Sequence, residues 1–278
     1  MIAGLGAIIL GLQTGASLMP VAELLDCARD ADVTLVAVHR AGGFAPGIPE
    51  NSVAGIRRSA EMGAAFAEVD LRRTADGEII LMHDATLERT TTGTGNVESR
   101  TLEEIRQYYL LDAAGHRTVN RVPTLSEAFA AAEAAGLYLE LDLKGIAPEM
   151  AAQLVVEAGV GERVLIIVNN VEDAAVIQSV STDIGISVPF TDRDIVLNSE
   201  LDFGPLLSWA GYGIPNARTE AFLTGQQVET AMHDFPGEAN GTIDYAFIDQ
   251  MHVEVLASDN PEAAVNIFGP YQAYCRLD

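Results

Sequence analysis

Four hydrophobic runs in the first half of this sequence end in groups that could do chemistry. Thr34–His39 closes on His39-Arg40, and Phe66–Leu71 carries Glu68 and Asp70. Glu78–His83 closes on His83-Asp84, and Leu137–Leu143 carries Glu140 and Asp142, with Lys144 next. Residues two apart on a strand share a face, so Glu68 stands with Asp70, and Glu140 with Asp142 and Lys144. Glu68, Asp70 and Asp142 are hard oxygen ligands, suited to Mg²⁺ or Ca²⁺. Zinc is disfavoured, because there is no His-x-x-x-His pair and no cysteine cluster. His39 and His83 suit an acid and a base that exchange roles. Arg40 and Lys144 can each hold a phosphate oxygen. Such a set is equipped for displacement at phosphorus: neutralise the phosphate, activate a hydroxyl, protonate a leaving group.

Each residue also has a plainer reading. A histidine ending a strand is more often structural than catalytic, and a carboxylate pair can simply face water. Parallel strands, however, are covered on both faces, so ladders of charge are not expected on them. Buried carboxylates need partners, and a cation is the simplest one. Lys144 adds weight as the only lysine among 16 basic residues. A compact ammonium between acids is what an anion-binding role would use.

The elements that must position these groups alternate along the chain. Strands are expected at the four runs above, at Val164–Val168 and Ile184–Phe190, near Tyr212, and at Tyr245–Ile248. Helices are expected at Val21–Asp30, from Asn51 or Ser52 to Met62, and over Thr124–Ala135, Pro148–Ala158, Glu172–Val180, Thr219–Met232 and Pro261–Tyr274. About eight strands alternating with helices predict an α/β fold, a (β/α)₈ barrel, whose strand ends converge on one rim. Residues 84–122, rich in Thr and Gly, read as an elaborated loop after the third strand, with a short helix near Leu102–Tyr109. No Gly-x-Gly-x-x-Gly follows the first strand, so a dinucleotide-binding sheet lacks its phosphate loop.

Composition sets the outer bounds. The 278 residues are 49% hydrophobic and 20% charged, enough apolar matter for one large domain over 21–278. A net charge of −24 repels a phosphate backbone, which argues against nucleic-acid binding and against a polybasic membrane surface. Cys27 and Cys275 are expected to be free buried thiols; a bridge needs both chain ends packed together, as a closed barrel would allow. Residues 1–20 carry no charged side chain, and Ile2–Leu12 is too short and glycine-broken for a membrane span. This stretch reads as a secretory signal, cleaved near Thr14–Ala16, or as a segment packed on the domain. The first reading places the chain in the periplasm or outside the cell, the second in the cytoplasm. Export is favoured because the segment precedes the first domain-like pattern, although no Lys or Arg precedes its apolar core.

The ordered set His39-Arg40, Pro49-Glu50-Asn51-Ser52, Glu68-Val-Asp70, Asp76-Gly77…His83-Asp84 and Leu87-x-Arg89-Thr90-Thr91-x-Gly93-x-Gly95 resembles the glycerophosphodiester phosphodiesterases. The likeness is dense over residues 34–145. It implies a TIM barrel with a small insertion after the third strand. It further implies Ca²⁺- or Mg²⁺-dependent hydrolysis of small glycerophosphodiesters to glycerol 3-phosphate and an alcohol. By motif position His39 and His83 match the acid/base pair, Glu68 and Asp70 match metal ligands, and Arg40 matches a phosphate-contacting arginine. Asp142 stands where the family has glutamate, two residues before a lysine that matches Lys144. Glu50 matches the acidic residue of the Pro-Glu-Asn segment, near the metal or organising its ligands, and Glu140, on the same strand face as Asp142, is a further supporting acid of the site.

The sequence also departs from the pattern. Ala41 replaces the usual glycine after His-Arg, so a different path for the first loop is expected. Tyr212–Asn216 is expected to take the place of a Trp-Thr-Val-Asn segment near the seventh strand, and Ile248-Asp249 that of a closing Thr-Asp pair. Two rival readings are a phospholipase-D-like enzyme acting on a larger lipid diester and a decayed barrel that only binds a ligand. The Leu-x-Arg-Thr-Thr-x-Gly segment favours the small substrate, and the retained histidines and acids argue against decay.

Overall fold

The computed structural model describes residues 18–43, 45–190, 193–213 and 217–276. Nine strands are found there: β1 (Leu35–Val38), β2 (Phe66–Arg73), β3 (Ile79–Leu81), β4 (Tyr138–Leu143), β5 (Val164–Ile167), β6 (Gly185–Val188), β7 (Leu206–Tyr212), β8 (Glu229–His233) and β9 (Val255–Ser258). All but β3 pair in parallel, and β1 bonds to both β2 and β9, so eight strands close into a barrel. β3 runs antiparallel to β2, Leu71 opposite Leu81, and stands outside the barrel wall. The run ending in His83 is therefore third in the chain but folds back on β2. The third strand of the barrel is β4.

The period-2 pattern of β2 explains its two environments. Phe66 joins the core inside the barrel, while Ala67, Val69 and Leu71 pack outward under the helices. Helix α1 (Val21–Ala31) plugs the lower end of the barrel with Val21, Leu24, Leu25 and Ala28, all fully buried. Tyr138 donates to the Met19 carbonyl at 2.8 Å and fixes the lead-in to that plug. Helix α2 (Val53–Met62) is capped by Ser52, whose Oγ accepts the Gly55 N–H, and ends at Gly63 in the left-handed conformation. Residues 84–122 form a platform with its own small core of Leu87, Val97, Ile105, Leu110 and Val122 against Ile80 and Met82. The platform holds the short helix α3 (Leu102–Ile105), and helix α4 (Leu125–Ala135) follows it.

Two expectations for the second half are corrected. The stretch Thr219–Met232 is a helix only over Ala217–Thr224; Glu229–His233 is β8. Tyr245–Ile248 is not a strand but lies in the helix Tyr245–Gln250, started by Asp244, whose side chain accepts the Phe247 N–H. The last barrel strand is Val255–Ser258. The cysteines are also not free thiols. Barrel closure brings α1 to the C-terminal turn, and Cys27 and Cys275 form a disulfide with Cα atoms 5.9 Å apart. Residues 1–17, on which the signal reading falls, lie outside the described residues. No described helix is long and apolar enough to cross a membrane.

The bridge closes a loop with a sequence separation of 248 and ties the plug to the barrel. Cys27→Ser with Cys275→Ser should lose about 2–5 kcal/mol of stability. Urea midpoints of the variant and of the reduced wild type are expected to agree. An unchanged midpoint would mean the bridge does not constrain the unfolded chain.

The lower end also holds buried acid. Glu220 is 7% exposed and neither carboxylate oxygen has a hydrogen-bond partner. Burial pushes it up to about 7, and the charge of Glu254 adds to the rise. A carboxyl group raised in the folded state binds its proton more tightly there than when unfolded. Its penalty is absent near pH 4 and grows as pH rises through 7. Glu220→Gln is therefore expected to stabilise the protein by about 1–3 kcal/mol at pH 8 and to change little at pH 4.5. Equal shifts at both pH values would exclude titration as the cause.

Candidate active site

The site is built at the upper rim, where β1, β2 and β4 end. Register sets Glu68 beside Glu140 and Asp70 beside Asp142 across β2 and β4. Glu68, Asp70 and Asp142 bring one carboxylate oxygen each within 4.8 Å of the others. Glu68 and Asp70 are 5% and 1% exposed, so this negative charge is largely hidden from water. Burial, with Asp70 beside it, pushes Glu68 well above the usual carboxylate range. Glu140, one layer below, is pushed by burial and by Asp142 up to about 8, and its Oε1 has no partner. Lys144 Nζ lies 2.5 Å from Asp142 and 3.2 Å from Asp70. Burial opposes the ammonium charge, but these two carboxylates outweigh it and raise its pKa. One ammonium does not balance the cluster. An all-oxygen donor set with surplus buried charge fits a hard divalent cation.

The turn after β1 reaches the same cluster. Arg40 and Ala41 adopt positive φ, 53° and 46°, where an L side chain is strained by roughly 1–2 kcal/mol. Ala41 thus stands in a conformation that glycine adopts freely. The turn aims the Arg40 N–H at Glu68, 2.6 Å from Oε2, and brings Arg40 Nη1 to 3.5 Å from Glu50. Gly55 is needed on α2 because a Cβ there would lie 1.5 Å from the Ala41 carbonyl oxygen. Asn51, read from sequence only as a helix cap, has a different place. Its amide donates to Asp70 Oδ2 at 2.7 Å and accepts the Asp70 N–H at 2.9 Å.

Both histidines have a carboxylate at Nδ1. His39 Nδ1 is 2.7 Å from Asp259, and His83 Nδ1 is 2.8 Å from Asp84. This arrangement puts the ring proton on Nδ1 and leaves Nε2 as the nitrogen that can take or give a proton. Phe235 stacks on His39 with ring centres 4.3 Å apart, and continues to His233 and Trp209. His233 Nδ1 is buried without a partner; burial, then the charge of His39, lowers its pKa. Arg72 donates twice to the His83 carbonyl and fixes that end of β3. His39, Arg40, Glu50, Arg89, Phe235 and Asp259 line a cleft of about 700 Å³ that the platform flanks with Leu111, Asp112, Ala113 and Gly115.

The structure therefore brings Glu68, Asp70, Asp142, Lys144, Arg40 and Glu50 together, with Glu140 beneath. It places His39 and His83 at the ends of β1 and β3. Asp259 and Phe235 were not found from sequence. The closing pair is Ser258-Asp259 at the end of β9, not Ile248-Asp249, since Asp249 lies in a helix. Tyr212 ends β7, the sixth strand of the barrel. The seventh is β8, ending in His233, and residues 214–216 lie outside the described residues.

The family model described as glycerophosphoryl diester phosphodiesterase matches residues 39–198. The chain is 40% identical over 132 residues to glycerophosphodiester phosphodiesterase 1 of Bos taurus, covering 46% of this chain and 39% of that one. It is 43% identical over 100 residues to a glycerophosphodiester phosphodiesterase of Caldanaerobacter subterraneus subsp. tengcongensis, covering 34% and 39%. The match thus spans about two fifths of each of these relatives. Among solved structures, a glycerophosphoryl diester phosphodiesterase from Parabacteroides distasonis superposes with a TM-score of 0.81 at 26% identity, covering 90% of this chain and 92% of that one.

Proposed function

The chain belongs to the glycerophosphoryl diester phosphodiesterase family, and from that premise we propose that it hydrolyses glycerophosphodiesters to glycerol 3-phosphate and an alcohol. The observation that carries this reading is the pair of histidines, each with a carboxylate at Nδ1, set about a buried carboxylate cluster. Glu68, Asp70 and Asp142 would hold Ca²⁺ or Mg²⁺, which when bound draws charge from the phosphate. Arg40 and Lys144 bind phosphate oxygens. One histidine takes the proton from the glycerol hydroxyl next to the phosphate through Nε2. That oxygen then bonds to phosphorus, and the bond to the alcohol oxygen breaks. The other histidine protonates the departing alcohol. Water opens the resulting cyclic phosphate with the two roles reversed. A cleft of about 700 Å³ beside His39 and Arg40 has room for a small diester.

The test is release of glycerol 3-phosphate from glycerophosphocholine, with Ca²⁺ or Mg²⁺ and with EDTA. Turnover that EDTA stops supports the reading. No product with either cation rejects it. The Cys27–Cys275 bridge supports a second part of the proposal, that the chain works in an oxidising compartment such as the periplasm or the exterior. Free thiols in protein taken from its native cells would count against that.

A further inference from the structure

The platform contributes one side chain that the reaction above does not use. Arg89 follows Leu87, which is buried in the platform core, and precedes Thr90 and Thr91, also buried. Thr91 bonds back to the Leu87 carbonyl through both N–H and Oγ1, at 3.0 and 2.7 Å, so the backbone carrying Arg89 is fixed. From there the guanidinium engages two carboxylates at once. Nε and Nη2 reach Asp84 at 2.7 and 2.8 Å, and Nη1 and Nη2 reach Glu50 at 2.8 Å each. Asp84 Oδ1 is the same atom that meets His83 Nδ1, and Glu50 Oε2 is the atom facing Arg40. A continuous series of contacts thus runs from one histidine to the phosphate-binding arginine, with Arg89 at its centre.

Without the guanidinium, Asp84 and Glu50 are like charges in a chain of net charge −24 and would move apart. Asp84 would then be free to leave His83, and Glu50 to fold onto Arg40. A planar fork with five donors can satisfy two carboxylates together; a lysine ammonium is a point charge on a flexible stem and cannot. We propose that Arg89 is a positioning residue, a clamp that holds Asp84 on His83 Nδ1 and Glu50 beside Arg40. The platform then has a purpose beyond flanking the cleft, because it sets the angle of a catalytic histidine. The activity arm of this proposal rests on the hydrolase reading above.

Two independent measurements test the clamp. In the first, imidazole ¹⁵N spectra of substrate-free protein should show the His83 Nδ1–H as a distinct signal, which broadens or disappears in Arg89→Ala and Arg89→Lys. In the second, kcat on glycerophosphocholine should fall by about 10- to 100-fold in Arg89→Ala, the scale of a misplaced catalytic group, with a smaller change in KM. Low concentrations of guanidinium ion should restore several-fold activity to Arg89→Ala and none to Arg89→Lys. Arg89→Ala combined with Asp84→Asn should be no slower than the slower single variant, because both act through one contact. Wild-type kcat with an intact His83 signal in Arg89→Ala overturns the proposal. So does a loss confined to KM, which would make Arg89 a substrate contact, or a fall in Tm without guanidinium rescue, which would make it merely structural. If Arg89→Ala does not fold, the spectrum and kcat of Arg89→Lys decide. If the wild type releases no glycerol 3-phosphate, the hydrolase reading fails, and the ¹⁵N spectra still decide the clamp.

Discussion

Replacing His39 or His83 by alanine is expected to lower kcat by about 10²–10⁴, the range of general acid–base groups. Each ring has its Nδ1 committed to a carboxylate, 2.7 Å away for His39 and 2.8 Å for His83. Nε2 is then the nitrogen left to exchange a proton in each ring, and the proposed mechanism assigns each histidine its own transfer. The double variant should lose less than the product of the two single losses, because in the proposed mechanism acid and base serve one displacement. Asp259→Asn keeps a partner of the same shape and removes the charge that favours the Nδ1–H form. A fall in kcat smaller than that of His39→Ala is expected, with KM little changed. Steady-state kinetics on glycerophosphocholine checks all four variants. Wild-type turnover in either alanine variant would take that histidine out of the mechanism.

Asp259 also shows where sequence reasoning stopped. The first half was legible because its buried strands are apolar runs interrupted or ended by charge, and few structures other than a site explain that pattern. β8, with the residues ETAMH, and β9, with VLAS, lack this signature. Ala and Met favour helices where propensity decides, and only their burial in the barrel makes them strands. Tyr245–Ile248 has aromatic and branched residues that suit a strand, yet Asp244 caps it as a helix. With β9 unread, Asp259 could not be placed beside His39. Asn51 shows a different limit. Its side chain type allowed a helix cap, but the contact with Asp70 depends on a left-handed backbone, φ 52°, that spacing does not reveal. Arg89 stood inside a recognisable motif, and only the folded platform shows that its guanidinium reaches two carboxylates distant from each other in sequence.

Removing the cation is expected to stop turnover and to lower Tm together, because in the proposed reaction the same three carboxylates would hold it in both respects. Glu68, Asp70 and Asp142 each bring a carboxylate oxygen within 4.8 Å of the others, and among the described residues Lys144 forms ion pairs with Asp70 and Asp142, and Arg40 with Asp70. A ligand bound only by the folded chain stabilises it by about 2.7 kcal/mol at a hundredfold excess over Kd, and EDTA withdraws that. Lys144 makes the argument sharper. Its ammonium pairs with Asp70 and Asp142, so it would compete with a cation for those carboxylates, and in the proposed reaction it would also be a local attraction for an anionic substrate in a chain of net charge −24. Lys144→Met keeps the stem and removes the charge. kcat/KM should fall at least roughly tenfold, the scale of one lost charge-assisted contact of about 1.5–3 kcal/mol. The cation concentration for half-maximal stabilisation should fall rather than rise, because a like charge has left the site. The two readouts move in opposite directions, which a general loss of folding cannot imitate. Unchanged kcat/KM would make Lys144 a structural counter-ion, and weaker cation binding would mean that it orients the ligands instead of competing with the cation.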